Sequence, residues 1–361
     1  MRVWIVAPLA VLGAVGAGYL IYRFIVDPLV ANTSDAIKLT LAILTLIGAL
    51  LAGVYAYRKQ RIAESDAHRA VANQLADRYT TVAGQLGHDK AAVRLAGVYA
   101  LARLADDWEA QRQVCVDVLC AYLRMPYETN PAATLYKEGE REVRQTITRV
   151  IRQHLQDPES LTSWSGCSFD FTGATFDGGD FSDSHFHGSV SFDEATFSGG
   201  RTYFTDTTFA NAVSFTLATV SGGLLAFVRA KFDGFVDATF SGGQVDFTQA
   251  SVPRGGLLFF DHAKFAGARV DFLEATFSGG WVNFHSAVFA SGGVSFDGAR
   301  FSGGRMSFAE ATFVGGEVDF QSIGSWEVPP TFDRGVLEAP PANLLLPSPS
   351  ILADRSARRR D

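Results

Sequence analysis

The side chains of this 361-residue chain that are able to do chemistry are thinly spread, and the first question is whether any of them converge. Carboxylates recur in the C-terminal half, among them Asp193, Glu194, Asp271, Glu274 and Glu310. A facing pair of them would support glycoside hydrolysis, which needs a cleft with long walls. These carboxylates instead sit at the outward positions of short repeats, where no cleft is implied. His185 and His187 flank Phe186 with Cys167 nearby, a grouping of metal-ligand types whose two imidazoles point outward. His68, His88 and His154 have no partner at ligand spacing. Cys115, Cys120 and Cys167 are the only cysteines. Their odd number and lack of framework spacing argue against a disulfide scaffold, and they read as small apolar core residues in a reducing compartment. The SGG turns lack the strand, lysine and helix of a phosphate-binding loop. No catalytic residue, metal site or cofactor is expected.

What the sequence does repeat is apolar. Of 29 Phe, 27 fall between Phe169 and Phe320. In GATFDGGDFSDSHF, Phe176, Phe181 and Phe186 recur at intervals of five. Further on the period settles at twelve, in units starting at Val270, Val282, Val294 and Met306, with a related unit at Val245. Most units hold two inward pairs, V-x-F and A-x-F, because residues two apart on an extended chain share a side. A three-residue strand spans only about 10 Å, too little to bury a face in a meander. The chain must therefore turn after each triplet and stack coil upon coil. Two twelve-residue units would make a coil of about 24 residues, and six or so coils at roughly 4.8 Å each a rod on the order of 30 Å long. The core ladder is assigned to Phe176, Phe181, Phe186, Phe192, Phe197, Phe247, Phe272, Phe277, Phe284, Phe289, Phe296, Phe301, Phe308 and Phe313. Glycine in the SGG corners is expected to supply positive φ.

A central Phe, a small residue two before it and a frequent Asp just before it resemble the pentapeptide-repeat family, and GATF, GGDF and DSHF match at strict five-residue spacing. The later VDF and EATFSGG units look like a variant whose alternate corners gain two residues. The resemblance covers about Phe169 to Ile323 and implies a right-handed quadrilateral β-helix.

Two apolar runs precede the repeats. Val3 to Tyr22 carries no charge between Arg2 and Arg23, and Leu39 to Tyr57 lies between Lys38 and the cluster Arg58, Lys59, Arg61. Each is about the length a helix needs to cross a bilayer. Together they predict a two-helix transmembrane hairpin, with both termini cytoplasmic by the positive-inside bias. Gly13, Ala14, Ala17 and Gly18 would permit close helix packing. Neither run has an interior charge to serve an ion path.

The predicted organisation is a hairpin over 1–61, a helical connector over 62–160, the β-helix over 165–323 and a Pro-rich, largely disordered tail over 324–361. In the connector, Val71, Leu75, Tyr79, Val82 and Leu86 follow helical spacing. Val93, Leu95, Ala96, Tyr99, Ala100 and Leu104 are expected to face inward on a next helix, then Val114, Val118, Leu119 and Leu123, then Val143, Ile147, Val150, Ile151 and Leu155. Trp326, Val336 and Leu337 are candidates to cap the last coil.

The fold class is thus helical plus β-solenoid, and the expected function is a membrane-tethered, non-catalytic scaffold presenting its surface to a protein partner. The expected location is a bacterial inner membrane, with the lipid bilayer as a partner through two helices and a homo-oligomer left open. Between Ser165 and Ile323 there are 17 acidic and 8 basic residues, a balance of −9 that disfavours direct nucleic-acid binding. The same balance suggests an alternative, since some pentapeptide-repeat proteins are acidic mimics of DNA that occupy type II topoisomerases. Such mimicry requires dense carboxylates along one face, whereas here Ser, Thr and Gly fill many outward positions.

Overall fold

The computed structural model describes residues 13, 15–20, 22–26, 33–134, 136–221 and 223–347. Most of the first apolar run and much of its following loop lie outside these residues, as does the chain from Ser348 onward. The chain forms two compact units, Met1–Asp77 and Arg78–Asp361.

In the first unit, residues 13 and 15–20 are helical and Tyr22–Val26 forms a π-helical turn. Helix α1, Thr33–Leu86, follows and runs on into the second unit. No break occurs at residue 61, because the charged stretch after Tyr57 contains neither Gly nor Pro. Within the described residues one helix is long and apolar enough to cross a membrane, with Ile37 its first such residue. A Cβ added at Gly18 would come 3.0 Å from Leu44 Cδ1, so the small residue there permits close approach of the two apolar segments.

The second unit opens with Val82 and Leu86 buried at the end of α1. Helices α2 (Ala91–Asp107), α3 (Arg112–Arg124) and α4 (Glu140–Leu155) complete its helical part. The inward face of α2 is turned from the expected one. Gly97, Val98, Leu101, Ala102, Leu104 and Ala105 are buried, while Tyr99 is exposed and Val93 and Leu95 are half-buried. Gly97 explains the turn, since a Cβ there would lie 3.1 Å from Gln85 Cβ and the Leu86 nitrogen. On α3, Val114 is likewise exposed, and Cys115, Val116, Leu119, Cys120 and Leu123 fill the core. Val143, Ile147, Val150, Ile151 and Leu155 of α4 are all buried. Glu140 joins the helices: its carboxylate lies 3.2 Å from Arg94 and 3.7 Å from Arg144 and accepts the Tyr122 hydroxyl at 3.0 Å. Burial lowers the Arg144 pKa, and Glu140 offsets that effect.

From Phe169 the chain becomes a parallel β-solenoid. Eight strands stack along its first face, from Phe169–Asp170 to Thr331–Phe332, giving about seven turns. A second row holds Thr175–Phe176 and Thr196–Ser198 and continues in the ends of longer strands such as Val213–Ser221. A third row runs from Gly179–Asp180 to Leu344–Leu345, and a fourth from His185–Phe186 to Ser325–Trp326. Each turn advances about as expected: Val190 faces Val213, 23 residues on, and Val282 faces Met306, 24 residues on.

Phe side chains stack across the turns. Along the third row, Phe181, Phe204, Phe227, Phe247, Phe272, Phe296 and Phe320 form an unbroken column with ring centroids 4.5 to 5.1 Å apart. Along the first, Phe260, Phe284, Phe308 and Phe332 repeat at 4.7 to 4.9 Å. Rings of different rows meet edge-on, as Phe284 does Phe296 at 6.4 Å, a geometry that aromatic quadrupoles favour. Ala between the rows leaves space for them; Ala263, Ala287 and Ala299 are fully buried.

The solenoid extends beyond Ile323. Ser325–Trp326, Thr331–Phe332 and Leu344–Leu345 each pair with the turn before, and α5, Arg334–Glu338, lies between the last two. The prolines fall between these short strands, outside the pairs themselves. Trp326 is buried, packed edge-on against Phe301 and Phe320, whereas Leu337 is exposed.

Replacing Phe247 by Ala opens a void in the unbroken column and is expected to cost about 3–5 kcal/mol. Phe259→Ala, at a half-buried outward position, should cost about 1 kcal/mol or less. Chemical denaturation followed by circular dichroism compares the two, and equal losses would contradict the column.

Candidate interaction surface

The corners decide what the solenoid can present. Beyond the first-row Phe192 come Asp193, Glu194 and Ala195, and the Ala195 N–H donates to the Phe192 carbonyl at 3.1 Å, closing a β-turn. The third residue of such a turn must have positive φ. Glycine is the easy choice, yet ten non-glycine residues adopt it, including Asp183, Glu194, Leu217, Arg229, His262, Glu274 and Glu310. The next turn holds them in place: the Glu194 N–H donates to the Thr216 carbonyl at 2.8 Å and that of Glu274 to Asp297 at 2.8 Å. The second glycine of the SGG corners has another function, close approach. A Cβ on Gly200 would lie 2.6 Å from the Gly178 nitrogen, and one on Gly304 2.6 Å from the Gly280 carbonyl oxygen.

The residue just before each ladder Phe explains much of the acidity. Its side chain points outward and accepts the N–H two residues on, entering the corner. Asp180, Asp246, Asp271 and Asp319 do this for Ser182, Thr248, Leu273 and Gln321 at 2.8 to 3.0 Å. Ser191 and Ser295 do the same at 3.2 and 3.3 Å. The V-D-F and V-S-F triplets are thus one device: two apolar residues fill the core and the polar one between them caps the turn.

The residues singled out for chemistry do not gather into one site. Glu194, Glu274 and Glu310 occupy separate corners, Asp193 accepts the Ser214 hydroxyl and Asp271 caps its own turn. His185 and His187 have ring centroids 6.5 Å apart. Burial raises the Cys167 pKa and raises that of Cys115 to about 11, which keeps both as thiols. His154 stacks on the buried Trp164 at 4.1 Å. His88 Nδ1 accepts the Lys90 N–H at 3.0 Å, and the side chain of His68 lies outside the described ones. Among the described residues no group of three or more His, Cys, Asp or Glu is placed to hold a metal ion.

All fourteen ladder Phe lie within the solenoid, thirteen of them buried and Phe313 half-buried near its C-terminal end. Phe171, Phe204, Phe209, Phe215, Phe227, Phe232, Phe260, Phe265, Phe320 and Phe332 stack in the same columns and were absent from that set. A step of 23 instead of 24 through the early turns would have found most of them. The same step brings together His262 and His285, with centroids 5.9 Å apart, and sets His285 Nε2 3.7 Å from Glu310. Outward on the first face of the middle turns, Leu257, Phe259 and Trp281 form an apolar spot, with Phe259 edge-on to Trp281 at 5.3 Å.

Both ends of the stack need closing, since a bare strand edge invites further pairing. At the N-terminal end the helices close it. The Gln113 amide exchanges two hydrogen bonds with Ser168, at 2.8 and 2.9 Å. Arg152 donates to the Ser182 carbonyl at 2.7 Å and pairs with Asp183 at 2.8 Å, Arg141 pairs with Asp177 at 2.9 Å, and Arg124 pairs with Asp170. The helical part is therefore the cap of the solenoid as well as a connector.

With this geometry in view, the family model described as pentapeptide repeats (nine copies) matches residues 171–219. The matched stretch comprises the early turns, where successive core Phe lie five to seven residues apart. A search of curated proteins finds no match.

Burial raises the Asp271 pKa; the Leu273 N–H opposes this, and the nearby Asp246 and Asp297 add to it. A raised folded-state value means that the native chain holds this proton more tightly than the unfolded chain. Stability therefore falls as pH rises from the ordinary carboxylate range through the raised value. Asp271→Asn keeps an oxygen for Leu273 but does not titrate, so wild type is expected to lose stability relative to it across that window. Parallel curves in denaturation at pH 3 to 7 would contradict the assignment.

Proposed function

We propose that this chain is a non-catalytic, membrane-tethered interaction protein of bacterial type that presents its solenoid to a protein partner. One observation carries the reading: the interior is occupied by stacked Phe, so recognition falls to the outer faces and corners. The apolar spot at Leu257, Phe259 and Trp281 supports it, since exposed aromatic residues are enriched where proteins meet. The pentapeptide-repeat match supports the same class of fold, for which a right-handed quadrilateral coil is the expected form.

In this reading the apolar segment from Ile37 and the run Val3 to Tyr22 make a two-helix hairpin in the inner membrane. The termini are cytoplasmic, following the cluster Arg58, Lys59 and Arg61. The Gly18–Leu44 approach favours packing of the two segments. A second copy is an alternative occupant of the outer faces.

The acidic DNA-mimic reading is less well supported. Along the third row the outward position carries Asp180, Tyr203, Ala226, Asp246, Asp271, Ser295 and Asp319, so the carboxylates form no continuous stripe. Those present already accept corner N–H groups.

Fractionation of a bacterial host tests the tether: the full chain is expected to stay in the membrane pellet after alkaline carbonate washing. In a Cys167→Ala background, Ser322→Cys places an exposed thiol on the solenoid, expected to react with a membrane-impermeant maleimide only after cells are opened. A photo-crosslinker at position 281 should give a discrete adduct with another protein. Release into the supernatant, labelling of intact cells, or no adduct would each contradict its part of the proposal.

A further inference from the structure

Where α4 meets the first turns, an open groove of about 470 Å³ runs between helix and solenoid. Its lining contains four arginines, Arg141, Arg149 and Arg152 from α4 and Arg201 from the third row, against one carboxylate, Asp180. The spacing follows from the helix, since positions 141, 145, 149 and 152 recur on one face every three or four residues. The floor is backbone, flat because glycines fill the corner there, and Gln145 and Tyr203 add polar contacts. A cationic lining departs from the rest of the solenoid, whose balance from Ser165 to Ile323 is −9, 17 acidic against 8 basic residues.

The four guanidiniums are not equivalent. Arg141 and Arg152 hold the cap to the solenoid through Asp177, Asp180 and Asp183. Arg149 has one distant carboxylate, Glu142 at 3.5 Å, and is half exposed. Arg201 is exposed and has no hydrogen-bonding or ion-pairing partner among the described residues. A guanidinium presents five donors in a fork that matches a carboxylate. Two such forks, with most of their donors free, face one groove from opposite walls.

We propose that this groove binds an acidic polypeptide segment of a partner, through carboxylates on Arg149 and Arg201. Charge complementarity selects the segment. The concave shape excludes a flat lipid surface, and the rim carboxylates Asp177 and Asp183 repel a uniformly charged nucleic-acid backbone. A peptide with spaced Asp or Glu can meet both arginines and avoid the rim. This inference rests on the partner-binding reading and adds the partner's chemistry to it.

The test uses the full chain in nanodiscs of zwitterionic lipid and a fluorescent hexaglutamate peptide as probe. Two double variants remove the same charge, Arg149→Gln with Arg201→Gln in the groove and Arg300→Gln with Arg305→Gln on other faces. Binding is expected to weaken at least about tenfold in the first and less than twofold in the second, as for loss of two charge-assisted contacts. The salt dependence should flatten only in the first. Equal weakening in both variants, or no hexaglutamate binding by wild type, overturns the proposal. So does tighter binding of anionic vesicles or duplex DNA that the groove variant abolishes. If the adduct at position 281 still forms while hexaglutamate fails, the groove assignment falls and the interaction reading stands. If the adduct is missing but the groove variant loses hexaglutamate, only the outer-face reading falls.

Discussion

Everything in the solenoid depends on aromatic rings stacking from one turn to the next. Parallel strands two or three residues long bury almost nothing alone and gain few hydrogen bonds each. What holds them is that every Phe lies between the Phe of the turn below and that of the turn above, as Phe247 lies 4.9 Å from Phe227 and 4.8 Å from Phe272. The stack enforces register, because a slip of one residue would exchange the inward pair for the outward one. It also explains the residue between the pair. Once Val and Phe are committed inward, the remaining side chain is free to cap the corner, which short acceptors such as Asp and Ser do well. Much of the acidity of this surface is therefore a consequence of turning.

The stack has costs at its edges and corners. Repeat architectures need closed ends, and here the helices supply one closure through Gln113, Arg124, Arg141 and Arg152. The Pro-rich segment supplies the other with three further short strands. Left-handed backbone at Glu194 or Glu274 costs on the order of 1 kcal/mol per residue. It is offset by hydrogen bonds between turns, which is why corners recur in sequence without an invariant glycine. Column breaks are also tolerated. Val252 faces Phe277 in the fourth row and Val220 faces Phe197 in the second, in turns one step shorter or longer than their neighbours.

The repeat period, the inward pairs and the count of residues per turn were all legible in the sequence, because two-residue alternation and a recurring Phe leave little choice of arrangement. The corners were not. Positive φ fell on Glu, Asp, Leu and Arg instead of on the SGG glycines, since the hydrogen bonds that permit it come from a turn 23 or 24 residues away. The inward face of α2 was misread for a related reason. Tyr99 is the bulkier side chain, yet Gly97 faces inward because the end of α1 crosses there, and contact across helices leaves no periodic mark. The tail looked incapable of pairing from its proline content, but the prolines punctuate Trp326, Phe332 and Leu344 without interrupting them. The groove beside α4 could not be read from sequence either, because Arg149 and Arg201 meet only once the cap is seated.

A double-mutant cycle on Phe284 and Phe308 tests the central claim most directly. These residues are 24 apart in sequence, with ring centroids 4.7 Å apart and planes 2° from parallel. Replacing each by Leu, singly and together, should reveal a coupling of about 0.5–1.5 kcal/mol beyond the sum of the single losses. The same cycle on Phe284 and Phe186, which belong to distant turns, should give none within error. Additive losses for the first pair would mean that the rings do not stack across turns, and the account of the solenoid would fail with them.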